Sequence, residues 1–401
     1  MATVLFTYEF GDGLGHVNRL IAVARRLRNG NRLVFALPEV RLQAPIVRRA
    51  LGDEVEIREG LFWPAPTDPR SRQVPTDTFA DVLKLYGYHQ ADHLMDAARR
   101  GSELLQKIAP NLIVCDFAPT IRLASCGRIP TVVVGNGYSV PPAGQLLPVM
   151  RPWQDTVPPT SRLHEALLLA GANSARVKLS GPAVDFLSDL FQGDHTFVCT
   201  IAEFDPYQNN RATPLVWPFN IPEMPATRKF DERRGPAIFC YMQRGHPALR
   251  PILNALNKMD CKSEIYAQGC DAREIAARCS RRVAVHSSPA DFSQVLPESS
   301  VLLHHAGLGT AYAGLAAGIP QVVLPFNLEH LITTRGLDKF GVAIRCRASP
   351  PPEVPRLMDL LNGVLTDRVR QQAALQAAAE LNRRRDNDPL RHVIEGCATY
   401  L

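Results

Sequence analysis

Long apolar runs are missing from this chain. No window approaches the roughly 18 uninterrupted apolar residues that a membrane-spanning helix needs, so no transmembrane segment is expected. The first residues lack a basic region and a small-residue cleavage site and run straight into an apolar strand pattern, so no secretory leader is expected. Paired-cysteine spacing is also missing. The nine cysteines (Cys115, Cys126, Cys199, Cys240, Cys261, Cys270, Cys279, Cys346 and Cys397) are odd in number and form no C-x-x-C. That excludes a zinc frame or a disulfide scaffold and reads as reduced thiols in a cytoplasmic protein. Neither sign of charge dominates: 45 Lys and Arg against 39 Asp and Glu leave +6. Arg383-Arg384-Arg385 is the only basic run and reads as a solvated helix face. Without a basic stripe or an RNA or DNA motif, no nucleic-acid partner is expected, while anionic ligands such as nucleotides suit the mild positive charge. No short repeat or low-complexity tract appears.

What is present is α/β alternation, twice. A length of 401 residues suits two domains, and 46% hydrophobic residues suffice for two cores. In the first half the pattern predicts strands at 3–8, 32–37, 54–58, 112–115 and 131–135. Helices are predicted at 16–29, 40–51, 78–100, 101–108, 119–127 and 161–173. A Pro-rich loop carrying Trp63 joins Leu61 to Thr78. Periodicity is lost over 205–235, which reads as a linker. The second alternation predicts strands at 237–242, 263–267, 282–286, 301–303, 321–324 and 342–346. Its helices are predicted at 247–258, 271–279, 310–317, 329–340, 352–363, 367–383 and 388–400. Strand and helix in strict alternation imply doubly wound parallel sheets.

Two strand–Gly turn–helix units stand out. One is Thr3–Tyr8 followed by Gly11-Asp12-Gly13-Leu14-Gly15-His16 and a helix with Val17, Leu20, Ile21, Ala24 and Leu27 on one face. The other is Val301–Leu303 followed by His304-His305-Ala306-Gly307-Leu308-Gly309-Thr310, with Gly318 and Pro320 ending the helix. Such a turn presents free N–H groups and the positive end of a helix dipole, a site for phosphate. Two halves facing across a cleft would bring both turns to one ligand. His305, Gly307, Gly309 and Thr310 are candidate phosphate contacts. His16 is a candidate general base, since imidazole titrates in the right range. Asp116, at the end of the strand 112–115, could hold its tautomer and stabilise its cation. Asp116 could instead cap the helix 119–127, and His304 reads equally well as a packed core histidine.

These residues resemble the family 1, UDP-glycosyltransferase-like, GT-B glycosyltransferases. The likeness is strongest at GDGLGHVNRL (11–20), PNLIVCDFAPT (110–120) and HHAGLGTAYAGLAAGIPQVVLP (304–325). It implies two Rossmann-like domains: 1–215 for the acceptor, 216–385 for the nucleotide sugar, and a C-terminal helix, 386–401, returning to the first. It implies His16 and Asp116 as a catalytic pair and direct inverting transfer of a sugar from a UDP- or dTDP-sugar to a hydroxyl of a small-molecule or lipid-like acceptor. It also implies no metal and no cofactor beyond the nucleotide-sugar co-substrate. Donor contacts would come from Gly15, Ser287, His305, Gly307, Gly309, Thr310, Glu329 and His330. Glu329-His330 stands where many members carry an Asp-Gln pair. Ala313 stands where the family often has a ribose-contacting Glu. Trp63, Phe79, Tyr86 and Tyr138, with Tyr88 nearby, are candidates for an aromatic acceptor pocket.

Weaker patterns read as structure. Asp386-Asn387-Asp388 is a D-x-D that suits a helix boundary, and His89/His93 suit an acceptor-side helix. A dinucleotide-dependent dehydrogenase would need a third glycine where His16-Val17-Asn18 stands. A nucleotide-sugar epimerase and a degenerate GT-B binding protein without transferase activity are the alternatives within the fold.

Overall fold

Successive side chains of a strand point to opposite faces, so an apolar run in a central strand feeds two cores. The computed structural model describes residues 1–11, 14–64, 75–219 and 235–401. In it, β1 (Ala2–Thr7) sends Val4 and Phe6 into one core and Leu5 into another. It sits within a seven-stranded sheet with β2 (Asn31–Leu37), β3 (Glu56–Glu59), β4 (Leu112–Cys115), β5 (Thr131–Gly135), β6 (His195–Cys199) and β7 (Leu215–Val216). The order is β3-β2-β1-β4-β5-β6-β7, parallel throughout. A parallel sheet has both faces covered. Val17, Leu20 and Ile21 of helix Leu14–Leu27 join the Val4 and Phe6 core, as do Val393 and Cys397 of helix Arg391–Ala398. Helices Ala91–Ile108 and Pro119–Ser125 cover Leu5, Ile113 and Cys115 with Leu105, Ile108, Ile121 and Ala124. Each fully buried Leu, Val or Phe contributes about 2 kcal/mol.

This first compact unit comprises Met1–Asn220 and Asp386–Leu401. Its last helix approaches β6 closely: a Cβ on Gly396 would lie 3.1 Å from the Phe197 ring. The second unit, Ile221–Arg385, repeats the plan. Its strands are β8 (Ala237–Gln243), β9 (Lys262–Gln268), β10 (Val283–Val285), β11 (Val301–His304), β12 (Gln321–Val323) and β13 (Ala343–Arg345). They lie in the order β10-β9-β8-β11-β12-β13, again all parallel. Ile238, Cys240, Met242, Val301 and Leu303 face one core; Phe239, Leu302 and Ala313 face the other.

Three sequence expectations change. The predicted helices 78–100 and 101–108 are instead Phe79–Leu85 and Ala91–Ile108. The chain turns at Gly87, with φ +87°. Gly101, the first residue of the second predicted helix, is mid-helix, where a Cβ would lie 3.1 Å from Ala124 and 3.3 Å from Leu61. It permits close packing rather than ending the helix. The start of the presumed linker belongs to the first unit: β7 pairs with β6, and buried Arg211 donates from Nε to Asp205 Oδ2 at 2.7 Å. Short strand β6 also escaped the sequence reading. Residues 65–74 of the Pro-rich loop and 220–234 of the linker lie outside the described residues.

Candidate active site

In the first unit the sheet order reverses direction between β1 and β4, and the following helices cover opposite faces. Ligands of open α/β sheets bind at such a switch point, beyond the carboxyl ends of the strands. His16 stands there, in the first turn of helix Leu14–Leu27, and Asp116 directly follows β4. His16 Nδ1 lies 2.8 Å from Asp116 Oδ2. With Asp116 accepting the Nδ1 proton, Nε2 keeps its lone pair. The ring stacks on Tyr8 at 5.2 Å and lies 6.2 Å from the Phe117 ring. Gln43 Nε2 in turn donates to the Tyr8 hydroxyl.

Asp116 is fully buried. Besides His16 it accepts a hydrogen bond from Arg19, whose guanidinium reaches the same Oδ2, and Ser139 Oγ donates to Oδ1 at 3.2 Å. Burial pushes the carboxyl up, but the Arg19 cation, His16 and the hydrogen bonds outweigh it and hold the group below its ordinary range. Arg19 and Ser139 were not read from the sequence. Arg19 had a signal, a charge on the buried side of an apolar helix and three residues beyond a candidate base. Ser139 had none.

Asp116 does not cap the following helix. Glu9 does, accepting from Thr120 N at 3.2 Å and Ile121 N at 2.6 Å. Burial, opposed by these hydrogen bonds, pushes the Glu9 carboxyl up to about 7.

The aromatic candidates divide. Trp63 is buried, donating from Nε1 to Thr120 Oγ1 at 3.0 Å and stacking on Phe10. Phe79 is fully buried among Phe117, Phe191 and Tyr138. Tyr86 and Tyr138 are half-buried, Tyr86 meeting Phe10 edge-on at 5.1 Å. Phe10 stacks on Phe117 at 4.7 Å, so one aromatic cluster runs from Trp63 to the ring beside His16. His89 contacts the Lys84 carbonyl, and among the described residues no group of three or more His, Cys, Asp or Glu side chains is arranged to hold a metal.

The second unit carries its own switch point between β8 and β11. After β11 come His305, Ala306 in the left-handed region at φ +69°, and Gly307, which caps helix Leu308–Ala316. Gly309 is exposed in the first turn and Thr310 is buried. His304 is a core residue. Its Nδ1 accepts from Ala306 N at 3.2 Å, and its Nε2 donates to Gln321 Oε1 at 2.9 Å. Burial pushes it down to about 4. His246 is held likewise, accepting from Ala248 N and donating to the Leu324 carbonyl at 3.0 Å.

His305 and His330 pack ring against ring at 4.9 Å, with Tyr241 beside the first and Phe326 beside the second. Both are buried, and neither Nδ1 has a hydrogen-bond partner. The His305 ring also meets the Tyr241 backbone, and its Nε2 points toward Gly307. Burial, then the neighbouring His304 and His246, push His305 down to about 3; burial and the other histidines push His330 far down as well.

Other donor candidates are scattered. Glu329 is half-buried at the start of helix Leu328–Lys339, whose Asn327 cap accepts from His330 N at 2.9 Å. Ser287 is exposed, beside His286, whose Nε2 lies 2.8 Å from Glu264 Oε2. Gly15, in the first unit, is exposed with open space around it.

No family model matches the chain. Three glycosyltransferases named for PGL/p-HBAD biosynthesis, from strains of Mycobacterium tuberculosis, are each 25% identical over 268 residues. The match spans 61% of this chain and 61% of each relative, less than two thirds of their length. The elloramycin glycosyltransferase ElmGT of Streptomyces olivaceus is 31% identical over 118 residues, 29% of this chain and 27% of its own. Solved structures align almost end to end. The spinosyn rhamnosyltransferase SpnG covers 98% of this chain and 100% of its own at TM-score 0.67 and 16% identity. The calicheamicin glycosyltransferase CalG4 covers 100% and 98% at TM-score 0.65 and 17% identity. The chain has the GT-B fold. In this GT-B chain Ala313 faces the core with Phe239 and Leu302, so a carboxylate there would be buried among apolar side chains.

Proposed function

We propose that the chain is a nucleotide-sugar-dependent glycosyltransferase, moving a sugar from a UDP- or dTDP-sugar to a hydroxyl of a small-molecule or lipid-like acceptor with inversion and without a metal. The observation that carries this reading is the 2.8 Å contact of His16 Nδ1 with buried Asp116 at a sheet switch point. A pair built that way leaves Nε2 free to take a proton and keeps a carboxylate ready for the imidazolium that forms.

In the proposed step the acceptor hydroxyl gives its proton to His16 Nε2. The oxygen forms a bond to the anomeric carbon, the bond from that carbon to the diphosphate oxygen breaks, and the nucleoside diphosphate leaves with the electron pair. One displacement inverts the centre. His305 and the N–H groups of Gly309 and Thr310 would meet the charge growing on the diphosphate. Glu329 and His330 would contact the sugar. Two neighbours of the same fold support this reading: VinC has been solved with dTDP and SpnG with spinosyn aglycone.

The test is transfer from UDP-glucose and dTDP-glucose to a panel of phenolic and polyketide acceptors, with and without EDTA, with the product anomer read by NMR. The reading predicts an inverted product, undiminished by EDTA, and loss of transfer in His16→Ala. A His16→Ala protein as fast as wild type would remove the base, and a retained anomer would remove the mechanism.

A further inference from the structure

Both oxygens of Asp116 are held. Oδ2 meets His16 Nδ1 at 2.8 Å and the Arg19 guanidinium, and Oδ1 accepts from Ser139 Oγ at 3.2 Å. Among the described residues, Ser139 is the one hydrogen-bond donor on Oδ1. We propose that Ser139 is a positioning residue: it fixes the plane of the Asp116 carboxylate, so that Oδ2 stays on His16 Nδ1 and the imidazole keeps one orientation. This rests on the transferase reading above.

An aspartate has no sharp preference about its Cβ–Cγ bond; that torsion is broad and roughly two-fold. Partners therefore set the plane of the carboxylate. Two donors on Oδ2 alone leave the group free to turn, and a turn trades the His16 contact against the Arg19 contact. A donor on Oδ1 removes that freedom. Ser139 is 1% exposed and Asp116 0%, so solvent does not compete for the bond.

The Ser139 hydroxyl is itself held. Asn136 N donates to Oγ at 3.1 Å, and the hydroxyl proton goes to Asp116 Oδ1 rather than to the Asn136 carbonyl, which is farther at 3.5 Å. Ser139 N donates to Asn136 Oδ1 at 2.8 Å and Val140 N to the Asn136 carbonyl at 3.2 Å. These bonds close a turn directly after β5. Two glycines let it sit tightly. A Cβ on Gly135 would lie 2.7 Å from Ser139 Oγ and 3.3 Å from Asp116 Oδ1, and one on Gly137 would lie 2.7 Å from Asp205 Oδ1. Arg211 clamps the turn from its far side. Its Nη2 donates to the carbonyls of Gly137 at 3.2 Å and Val140 at 2.8 Å, while its Nε is paired with Asp205. The stretch 205–211 thus reaches the His16–Asp116 pair through Ser139.

The experiment compares wild type, Ser139→Ala and Ser139→Thr in two readouts. One is transfer from UDP- or dTDP-glucose to whichever acceptor of the panel above wild type uses best. The other needs no turnover: the His16 Nδ1 proton resonance in protein labelled with nitrogen isotope at histidine, assigned by its absence from His16→Gln. In wild type that resonance is sharp. Ser139→Ala broadens or loses it, lowers kcat about tenfold and leaves the KM of donor and acceptor within about twofold. Ser139→Thr, which keeps a hydroxyl, restores both. Should Ser139→Ala not fold, Ser139→Cys, a weak donor of similar size, is expected to show the same losses.

A sharp, unmoved resonance in Ser139→Ala overturns the inference, and so does an undiminished kcat. A fall carried by KM alone overturns it too, as does Ser139→Thr losing what Ser139→Ala loses, which would mark a packing role. Transfer with those outcomes leaves the transferase reading standing; no transfer by wild type to any acceptor removes both.

Discussion

A Cβ built on Gly11 would lie 2.6 Å from Nε2 of His16. Gly11 also has φ +98°, a conformation that side chains rarely adopt. The glycine therefore serves twice, for the turn and for the seat of the imidazole. Gly11→Ala is expected to lose about 1–2 kcal/mol of stability through backbone strain. It should also lose most transfer activity while keeping nucleotide affinity, since the candidate diphosphate contacts His305, Gly307, Gly309 and Thr310 lie in the other unit. Urea denaturation with calorimetry on UDP and dTDP would check both halves.

The second unit repeats the relationship without the strain. A Cβ on Gly307 would lie 3.0 Å from His305 Nε2, yet Gly307 has φ −63°. Gly307→Ala should keep the wild-type denaturation midpoint and lose about tenfold in UDP-glucose affinity, as should His305→Ala. A Gly307→Ala protein that binds UDP-glucose as tightly as wild type would mean that the ring does not meet the donor.

Donor affinity should be flat between pH 5 and pH 8. Burial holds His305 down at about 3, so its neutral ring is the form present across that range. UDP-glucose is the right probe because its diphosphate does not titrate there, unlike the terminal phosphate of UDP. Calorimetry showing affinity that fades above about pH 6.5, the ordinary histidine value, would mean that an imidazolium is the binding form.

Acid should loosen the second unit. His246, His304, His305 and His330 are all buried and all held below the ordinary histidine value. A histidine neutral in the fold contributes stability that is present above its unfolded value near 6.5. That stability is lost as pH falls toward the folded value, about 4 for His304. The loss is about 1 kcal/mol per histidine per pH unit below 6.5. Hydrogen exchange of peptides from β8, β11 and β12 should show this loss between pH 6.5 and pH 5, and His330→Gln should lessen it. Equal protection at both pH values would contradict the neutral assignment.

Glu9 should act with the opposite sign. Its carboxyl is pushed up to about 7 in the fold, above an unfolded value near 4.5. Its stabilising contribution is therefore full below about pH 4.5 and lost as pH rises through 7. Glu9→Gln removes that dependence, so its stability relative to wild type should improve by up to about 3 kcal/mol between pH 5 and pH 8. Parallel urea midpoints for the two proteins across that range would count against the buried acid.

Local pattern determined the doubly wound class and the two Gly turns. These follow from periodicities of two and near four, and from glycine's freedom at positive φ, all short-range properties. Gly101 could not be read that way, because whether a glycine ends a helix or admits a neighbour depends on Ala124 and Leu61 across the packing. Nor could Arg19 and Ser139 on Asp116, Glu9 capping Pro119–Ser125, or the partnerless Nδ1 atoms of His305 and His330. Protonation and charge compensation are set by burial and by partners up to about a hundred residues away in sequence. The tertiary structure alone decided them, since a side chain's electrostatic surroundings exist only once distant segments pack around it.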